Sequence, residues 1–78
     1  MSKRLQYTIT LRPEPEGGFT VLVPALPEVV TYGEDEDEAL RMAREAIELA
    51  LDLRRDEGDE IPHDVEPITR KLTVERAA

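Results

Sequence analysis

The chain has 78 residues, with 18 acidic and 10 basic side chains, one histidine, no cysteine and a formal net charge of −8. This length predicts one domain over residues 1–78, and a core this small usually needs a partner or a second copy for support. The composition excludes disulfides and thiolate sites, and its acidity argues against binding to nucleic acid.

A β-hairpin is predicted at the start of the chain. Prolines and glycines over residues 13–18 indicate a turn, and after it Phe19, Val21 and Val23 alternate with Thr20 and Leu22. The strand before the turn is indicated by apolar residues at every second position, namely Leu5, Tyr7, Ile9 and Leu11. We expect the two strands to pair in antiparallel fashion.

A short third strand is predicted over residues 29–32. Pro24 ends the second strand because proline has no N–H to donate, and Pro27 restricts the residue before it to extended geometry. Gly33 follows the third strand and is expected to break it.

A long helix is predicted from about Glu36 to about Asp56. Asp35 is a favourable N-cap, and Glu38 stands three residues later in the capping-box position. Gly58 marks the end of the helix.

The end of the chain predicts a loop over residues 57–64 and then a fourth strand. Ile68, Leu72 and Val74 alternate with polar residues, although Arg70 interrupts the apolar face. The predicted fold is therefore α+β, in the order β-β-β-α-β, with a small antiparallel sheet and one helix packed on one face.

The predicted helix is apolar around roughly 200° of its circumference, about twice the arc that packing on one surface requires. We expect the extra width to form an interface between copies in a dimer or tetramer. The alternative is that the helix wraps a curved sheet. The candidate interface residues extend the main apolar face sideways and are Met42, Leu49 and Leu53.

Residue types that could support catalysis have simpler structural explanations. Helix capping and the helix dipole account for the acidic run over residues 34–38, which lacks the spacing of a calcium loop. His63 and Asp64 are neighbours in a predicted surface loop, and no Ser or Cys nucleophile completes a triad with them. We expect no enzyme activity, no metal and no cofactor.

The N-terminal residues lack the core of a signal peptide, and no apolar run reaches the roughly 20 residues that cross a membrane. These observations predict a cytoplasmic protein with no membrane partner.

The order of the turn and helix motifs resembles that of the HicB-like antitoxin family. Gly17-Gly18-Phe19 enters a strand, Val23-Pro24-x-Leu26-Pro27 follows, and Gly33-Glu34-Asp35-x-x-Glu38-Ala39 opens the helix. Glu45-Ala46-Ile47 and Gly58-x-x-Ile61-Pro62 stand at the family's usual places. The chain departs from the family at Glu28 and Val29, where the family usually has Gly and a small residue or Cys, and at Asp35, where it often has Ser or Thr.

The resemblance implies a partial ribonuclease-H-like fold and a small basic HicA-type toxin, an mRNA-cleaving enzyme whose active site the antitoxin masks. Larger relatives carry a C-terminal DNA-binding domain, so we do not expect this chain alone to bind DNA. An alternative function is that of a stand-alone oligomeric relative with no toxin. The candidate toxin-binding residues are acidic and lie near the hairpin turn and the helix start, namely Glu14, Glu16, Glu34 and Asp37.

Overall fold

The computed structural model describes residues 4–77, which form three strands and one helix. The elements are β1 (Thr10–Pro13), β2 (Phe19–Leu22), β3 (Val30–Gly33) and α1 (Glu36–Asp56). The strands form an antiparallel sheet in the order β1-β2-β3, and α1 packs on one face of it. The predicted α+β class is confirmed. The single domain predicted over residues 1–78 includes residues 1–3 and 78, which lie outside the described residues, and it stays a prediction.

The predicted hairpin of β1 and β2 closes through a tight turn. The Glu14 amide donates to the Gly18 carbonyl oxygen at 3.0 Å, and the Gly17 amide donates to the Glu14 carbonyl oxygen at 2.9 Å. Gly17 and Gly18 adopt φ angles of 105° and 80°. Side chains disfavour this left-handed region, so the glycine pair is what allows the turn.

Strand β1 begins later than the alternation predicts. Thr10 pairs with Leu22, and this register places Pro24 across from Thr8. Proline has no N–H for a ladder, so the pairing ends before that position. Tyr7 and Ile9 lie outside the strand but still pack against the core.

Helix α1 begins at the predicted cap. The Asp35 carboxylate accepts a hydrogen bond from the Glu38 amide at 2.8 Å. The Glu38 carboxylate reaches back to the Glu34 amide at 2.9 Å, one residue earlier than in the usual capping box. Two backbone N–H groups are therefore satisfied at the start of the helix.

Helix α1 ends as predicted before Gly58, which adopts a φ of 78°. The Gly58 amide donates to the Arg55 carbonyl oxygen at 3.1 Å, and the Asp59 amide donates to the Arg54 carbonyl oxygen at 2.8 Å. This pair of bonds is the Schellman motif, which satisfies carbonyl groups that the helix leaves unpaired.

The core lies between α1 and the sheet. Small side chains on the helix allow close approach, and a Cβ on Gly33 would collide with backbone atoms of Glu38 and Ala39. The helix lies mainly over β3, less over β2 and least over β1. One cluster of buried residues contains Val21, Ala39 and Ala43, and the other contains Val23, Leu26, Val29 and Ala50.

The predicted fourth strand is absent from the described residues. Residues 59–77 contain no strand, and the side chains of Ile68, Leu72 and Val74 are 79%, 87% and 77% exposed. A strand needs backbone hydrogen bonds to a neighbouring strand, and within residues 4–77 no strand pairs with this segment. The prediction of a fourth strand is therefore wrong for the described residues.

Candidate protein-binding surface

The hairpin turn and the start of α1 lie at the same end of the molecule. Phe19 pairs with Gly33, so the β1–β2 turn and the end of β3 are neighbours. The Tyr32 hydroxyl donates to the Gly17 carbonyl oxygen at 3.0 Å across this junction. The structure thus brings two separate acidic stretches together. We call this surface the acidic end; its members are Glu14, Glu16, Glu34, Asp35, Glu36, Asp37 and Glu38.

Glu14 has a structural role within the acidic end. Its half-buried carboxylate accepts hydrogen bonds from the Thr20 hydroxyl at 2.6 Å and from the Arg12 Nε at 3.0 Å. These two donors, the Thr20 hydroxyl first, lower the pKa of the Glu14 carboxyl. Because Arg12 compensates its charge, Glu14 is the least available of the four predicted partner-binding residues.

The other three predicted partner-binding residues are exposed. Within residues 4–77, no ion pair or side-chain hydrogen bond engages the carboxylates of Glu16, Glu34 or Asp37. Arg41, on the first turns of the helix, pairs with other carboxylates: its guanidinium nitrogens lie 3.9 Å from a Glu38 carboxylate oxygen and 4.0 Å from one of Glu45. The acidic end therefore presents uncompensated negative charge to solvent.

This arrangement suits recognition of basic groups more than metal chemistry. No group of three His, Cys, Asp or Glu side chains in the described part of the chain is placed to hold a metal ion. Asp35 already accepts a backbone hydrogen bond as the helix cap. Exposed carboxylates accept charge-assisted hydrogen bonds from arginine and lysine, which are the groups that a basic protein would present.

His63 and Asp64 do not form the acid–base pair that their adjacency allows. The Asp64 carboxylate accepts hydrogen bonds from the Thr8 amide at 2.8 Å and from the Thr8 hydroxyl at 2.7 Å. These donors, the amide first, lower the pKa of Asp64. The Tyr7 hydroxyl also donates to the Pro62 carbonyl oxygen at 2.6 Å. This contact joins residues more than 50 positions apart, so no local sequence pattern could reveal it.

The three residues of the predicted oligomer interface do not lie on one surface. Leu49 and Leu53 are 62% and 51% exposed and line a groove of about 510 Å³ between α1 and the edge of β3. At its rim, Arg54 and Glu28 form a bidentate ion pair, in which two guanidinium nitrogens each donate to one carboxylate oxygen at 2.9 Å. Met42 is half-buried and does not line this groove.

A second groove lies on the opposite side of α1, between the helix and residues 4–9, which lead into β1. We call it the β1-side groove; its volume is about 1120 Å³. Its large apolar lining residues are Leu5, Tyr7, Ile9, Leu40, Ile47 and Leu51. The sequence alone does not reveal this groove, because its walls come from residues distant in the chain.

A known protein family matches most of the chain. A family model described as "HicB_like antitoxin of bacterial toxin-antitoxin system" matches residues 7–75. The chain belongs to the HicB-like antitoxin family. This HicB-like match includes the C-terminal segment that the structure leaves exposed.

Curated relatives agree with this assignment. Antitoxin HicB 1 of Photorhabdus laumondii is 38% identical over 60 residues, which are 77% of this chain and 39% of the relative. Antitoxin HicB of Escherichia coli K12 is 38% identical over 58 residues, which are 74% of this chain and 42% of the relative. The HicB-like chain thus spans about two-fifths of the length of these two proteins.

A shorter relative matches over most of its length. UPF0150 protein Ta0767 of Thermoplasma acidophilum is 35% identical over 60 residues, or 77% of this chain and 87% of the relative. Among the described residues of the HicB-like chain, no helix is both long enough and apolar enough to cross a membrane.

Proposed function

We propose that this chain is an antitoxin module that binds a small basic HicA-type toxin in the cytoplasm and masks the toxin's active site. It performs no chemistry of its own in this proposal. The observation that carries it is the acidic end, where the fold joins the carboxylates of the hairpin turn to those of the helix start. Membership of the HicB-like family supports the same class of partner.

The charge distribution explains how such a module would find its partner. An acidic protein attracts a basic one over distances of about 8 Å at physiological salt, which raises the rate of encounter. Mutation of exposed charges typically changes association rate and salt dependence more than the packing of the final complex. We therefore expect binding to weaken steeply as salt concentration rises.

The first experiment tests whether the partner exists. The chain is co-expressed with a small basic protein encoded in the adjacent reading frame, and the complex is sought by gel filtration at low salt. We expect co-elution, inhibition of the partner's mRNA cleavage, and rescue of growth. If the two proteins elute separately and growth is not rescued, the proposal is wrong.

The second experiment tests the acidic end itself. Glu16→Lys with Glu34→Lys reverses two exposed charges outside the secondary-structure elements. We expect the dissociation constant at low salt to rise about tenfold or more, equal to about 1.4 kcal/mol. Asp56→Lys with Glu60→Lys makes the same change in net charge at the other end of α1 and serves as the control. Equal weakening by both pairs would show that only net charge matters and would remove the acidic end from the proposal.

A second candidate function is a stand-alone oligomer without a toxin. Two observations favour it: the exposure of Leu49 and Leu53, and the match to Ta0767 over 87% of that short relative. Light scattering of Leu49→Gln with Leu53→Gln tests the surface that this function would use. A stable oligomer that the substitutions disrupt, in the absence of any basic neighbour, would favour this candidate over the antitoxin.

A further inference from the structure

The segment after Asp64 has the composition of a strand without the surroundings of one. Its apolar residues at positions 68, 72 and 74 are more than three-quarters exposed, and all of residues 65–77 are exposed. Large apolar side chains placed together on one side of an extended segment are unusual in contact with water, and such a patch marks an interaction surface. The molecule therefore displays a row of apolar side chains, with the spacing of a strand, that nothing within residues 4–77 covers.

The same molecule has an unpaired sheet edge and an apolar groove beside its helix. β1 is an edge strand of the sheet, and β1 contacts α1 least of the three strands. The β1-side groove lies between the helix and residues 4–9, which lead into β1, and its apolar walls include Ile47 and Leu51. A strand added along the edge of β1 and the residues before it would place every second side chain toward this groove. Unpaired edges of this kind are templates for pairing with another chain.

The start of the segment is tied to the beginning of that edge. Asp64 is held by the Thr8 amide and hydroxyl, beside the residues that lead into β1. Beyond it, Pro67 restricts Glu66 to extended geometry, so the chain continues outward and does not turn sharply back. The segment therefore extends away from its own body, and all of residues 65–77 are exposed.

We propose that two copies of this chain exchange their C-terminal segments. Residues 66–76 of each copy form a strand along the open edge of β1 in the other copy. Ile68, Leu72 and Val74 enter the partner copy's β1-side groove, while Thr69, Lys71 and Thr73 face solvent. The exchange is reciprocal, so two identical contacts close a dimer with two-fold symmetry.

Charge favours this occupant of the groove. Residues 65–78 carry three basic and two acidic side chains, whereas residues 1–64 carry seven basic and sixteen acidic side chains. The segment is thus slightly basic whereas the rest of the chain is strongly acidic as a whole, and its attraction to the body of a second copy offsets repulsion between two acidic bodies. Glu48 lines the groove and provides a carboxylate for Arg70, which stands on the inward side of the strand. Arg4 and Arg44 also line the groove, so the attraction comes from the acidic body as a whole and not from the groove itself.

The first test compares the two sides of the proposed strand. Ile68→Gln with Leu72→Gln changes the inward side, and Thr69→Gln with Thr73→Gln makes the matched change on the outward side. We expect the full chain and the outward variant to be dimers by analytical ultracentrifugation, and the inward variant to dissociate at least tenfold more readily. These residues are exposed in the single chain, so circular dichroism of the helix should be unchanged in both variants.

The second test shows whose groove is occupied. Isotope-labelled and unlabelled copies are mixed, and filtered NOE spectra report contacts between different copies only. We expect contacts from the Leu72 and Val74 methyl groups to those of Ile47 and Leu51. If the same contacts appear in unfiltered spectra but are absent from the filtered ones, the segment folds back on its own edge and the proposal is overturned.

Two other results would also overturn strand exchange. One is a full chain that stays monomeric at the concentrations used for NMR. The other is a dimer that survives Ile68→Gln with Leu72→Gln but is lost in Leu49→Gln with Leu53→Gln, because the copies would then meet through the groove beside β3.

Discussion

The hairpin strand β2 and the C-terminal segment have similar patterns and opposite surroundings. Val21 and Val23 alternate with polar or exposed positions and are 0% and 2% exposed, whereas Leu72 and Val74 follow the same alternation and are 87% and 77% exposed. β2 has a strand on each side and a helix above it, and the C-terminal segment has neither within residues 4–77. Alternation therefore specifies which side of a strand is apolar, but a neighbour must be present before that side is buried.

The largest effect is expected when leucine is replaced by alanine at a buried position near the end of β2, and the same replacement in the C-terminal segment is its control. Leu26 is fully buried, so Leu26→Ala removes packed methyl groups and leaves a cavity. We expect it to lower the free energy of unfolding by about 2–5 kcal/mol. That is a large part of the roughly 4–12 kcal/mol expected for a chain of this size. Urea unfolding followed by circular dichroism measures the loss.

Leu72→Ala is the matched control in the C-terminal segment. In dilute protein, where copies are separate, we expect it to change the free energy of unfolding by less than about 0.5 kcal/mol, as at other exposed positions. If strand exchange occurs, a loss should appear only as the protein concentration rises. A large loss in dilute protein would show that the segment packs on its own chain and would break the contrast between the two regions.

A smaller effect is expected where β3 meets the start of α1. Gly33→Ala places a methyl group against backbone atoms of Glu38 and Ala39, which cannot move without shifting the helix. We expect a loss of about 1–3 kcal/mol in the free energy of unfolding, the usual range for overpacking.

Ala39→Gly distinguishes a backbone clash from a side-chain clash at this position. The atoms that the new methyl group would meet remain after this substitution, so Ala39→Gly should not rescue Gly33→Ala. Rescue measured in a double-mutant cycle would show that the helix start can adjust, and that the body is less tightly packed than the structure indicates.

The smallest effect concerns Asp64, which joins the start of the C-terminal segment to Thr8. Thr8 lowers the pKa of this carboxyl below its usual value of 3.8. A lowered native pKa adds stability above the unfolded value, and this contribution is lost as pH falls through the native pKa. Wild type should therefore be slightly more stable than Asp64→Asn at neutral pH, with the difference vanishing in acid. Urea unfolding across this pH range checks the sign; a difference that grows in acid would contradict it.

Much of the fold was predictable because its signals are local. The glycine pair at positions 17 and 18, the Asp35 cap and Gly58 each act through neighbouring residues, and the elements they delimit are observed nearly where expected. The start of β1 was predicted too early because the alternation continues past the point where Pro24 ends the pairing. That limit depends on the register between two strands and is not visible in either one alone.

The candidate surfaces were only partly predictable for the same reason. The acidic residues could be named from the sequence, but their assembly at one end depends on the pairing of Phe19 with Gly33. The division of the helix's apolar arc into two grooves depends on the position of α1 over the sheet. Whether Glu16, Glu34 and Asp37 contact a toxin stays a prediction, as does an interface that includes Met42.

By itself the sequence determined the local conformations: the positive-φ turn, the capped helix, the alternation of each strand and the HicB-like order of motifs. Hydrogen bonds and sterics between near neighbours specify these features, so a short window of residues contains the information. Tertiary structure alone decided which edge stays open, where charges collect and whether an apolar strand is covered. These depend on contacts between residues distant in sequence, such as Thr8 with Asp64, and no local pattern encodes them.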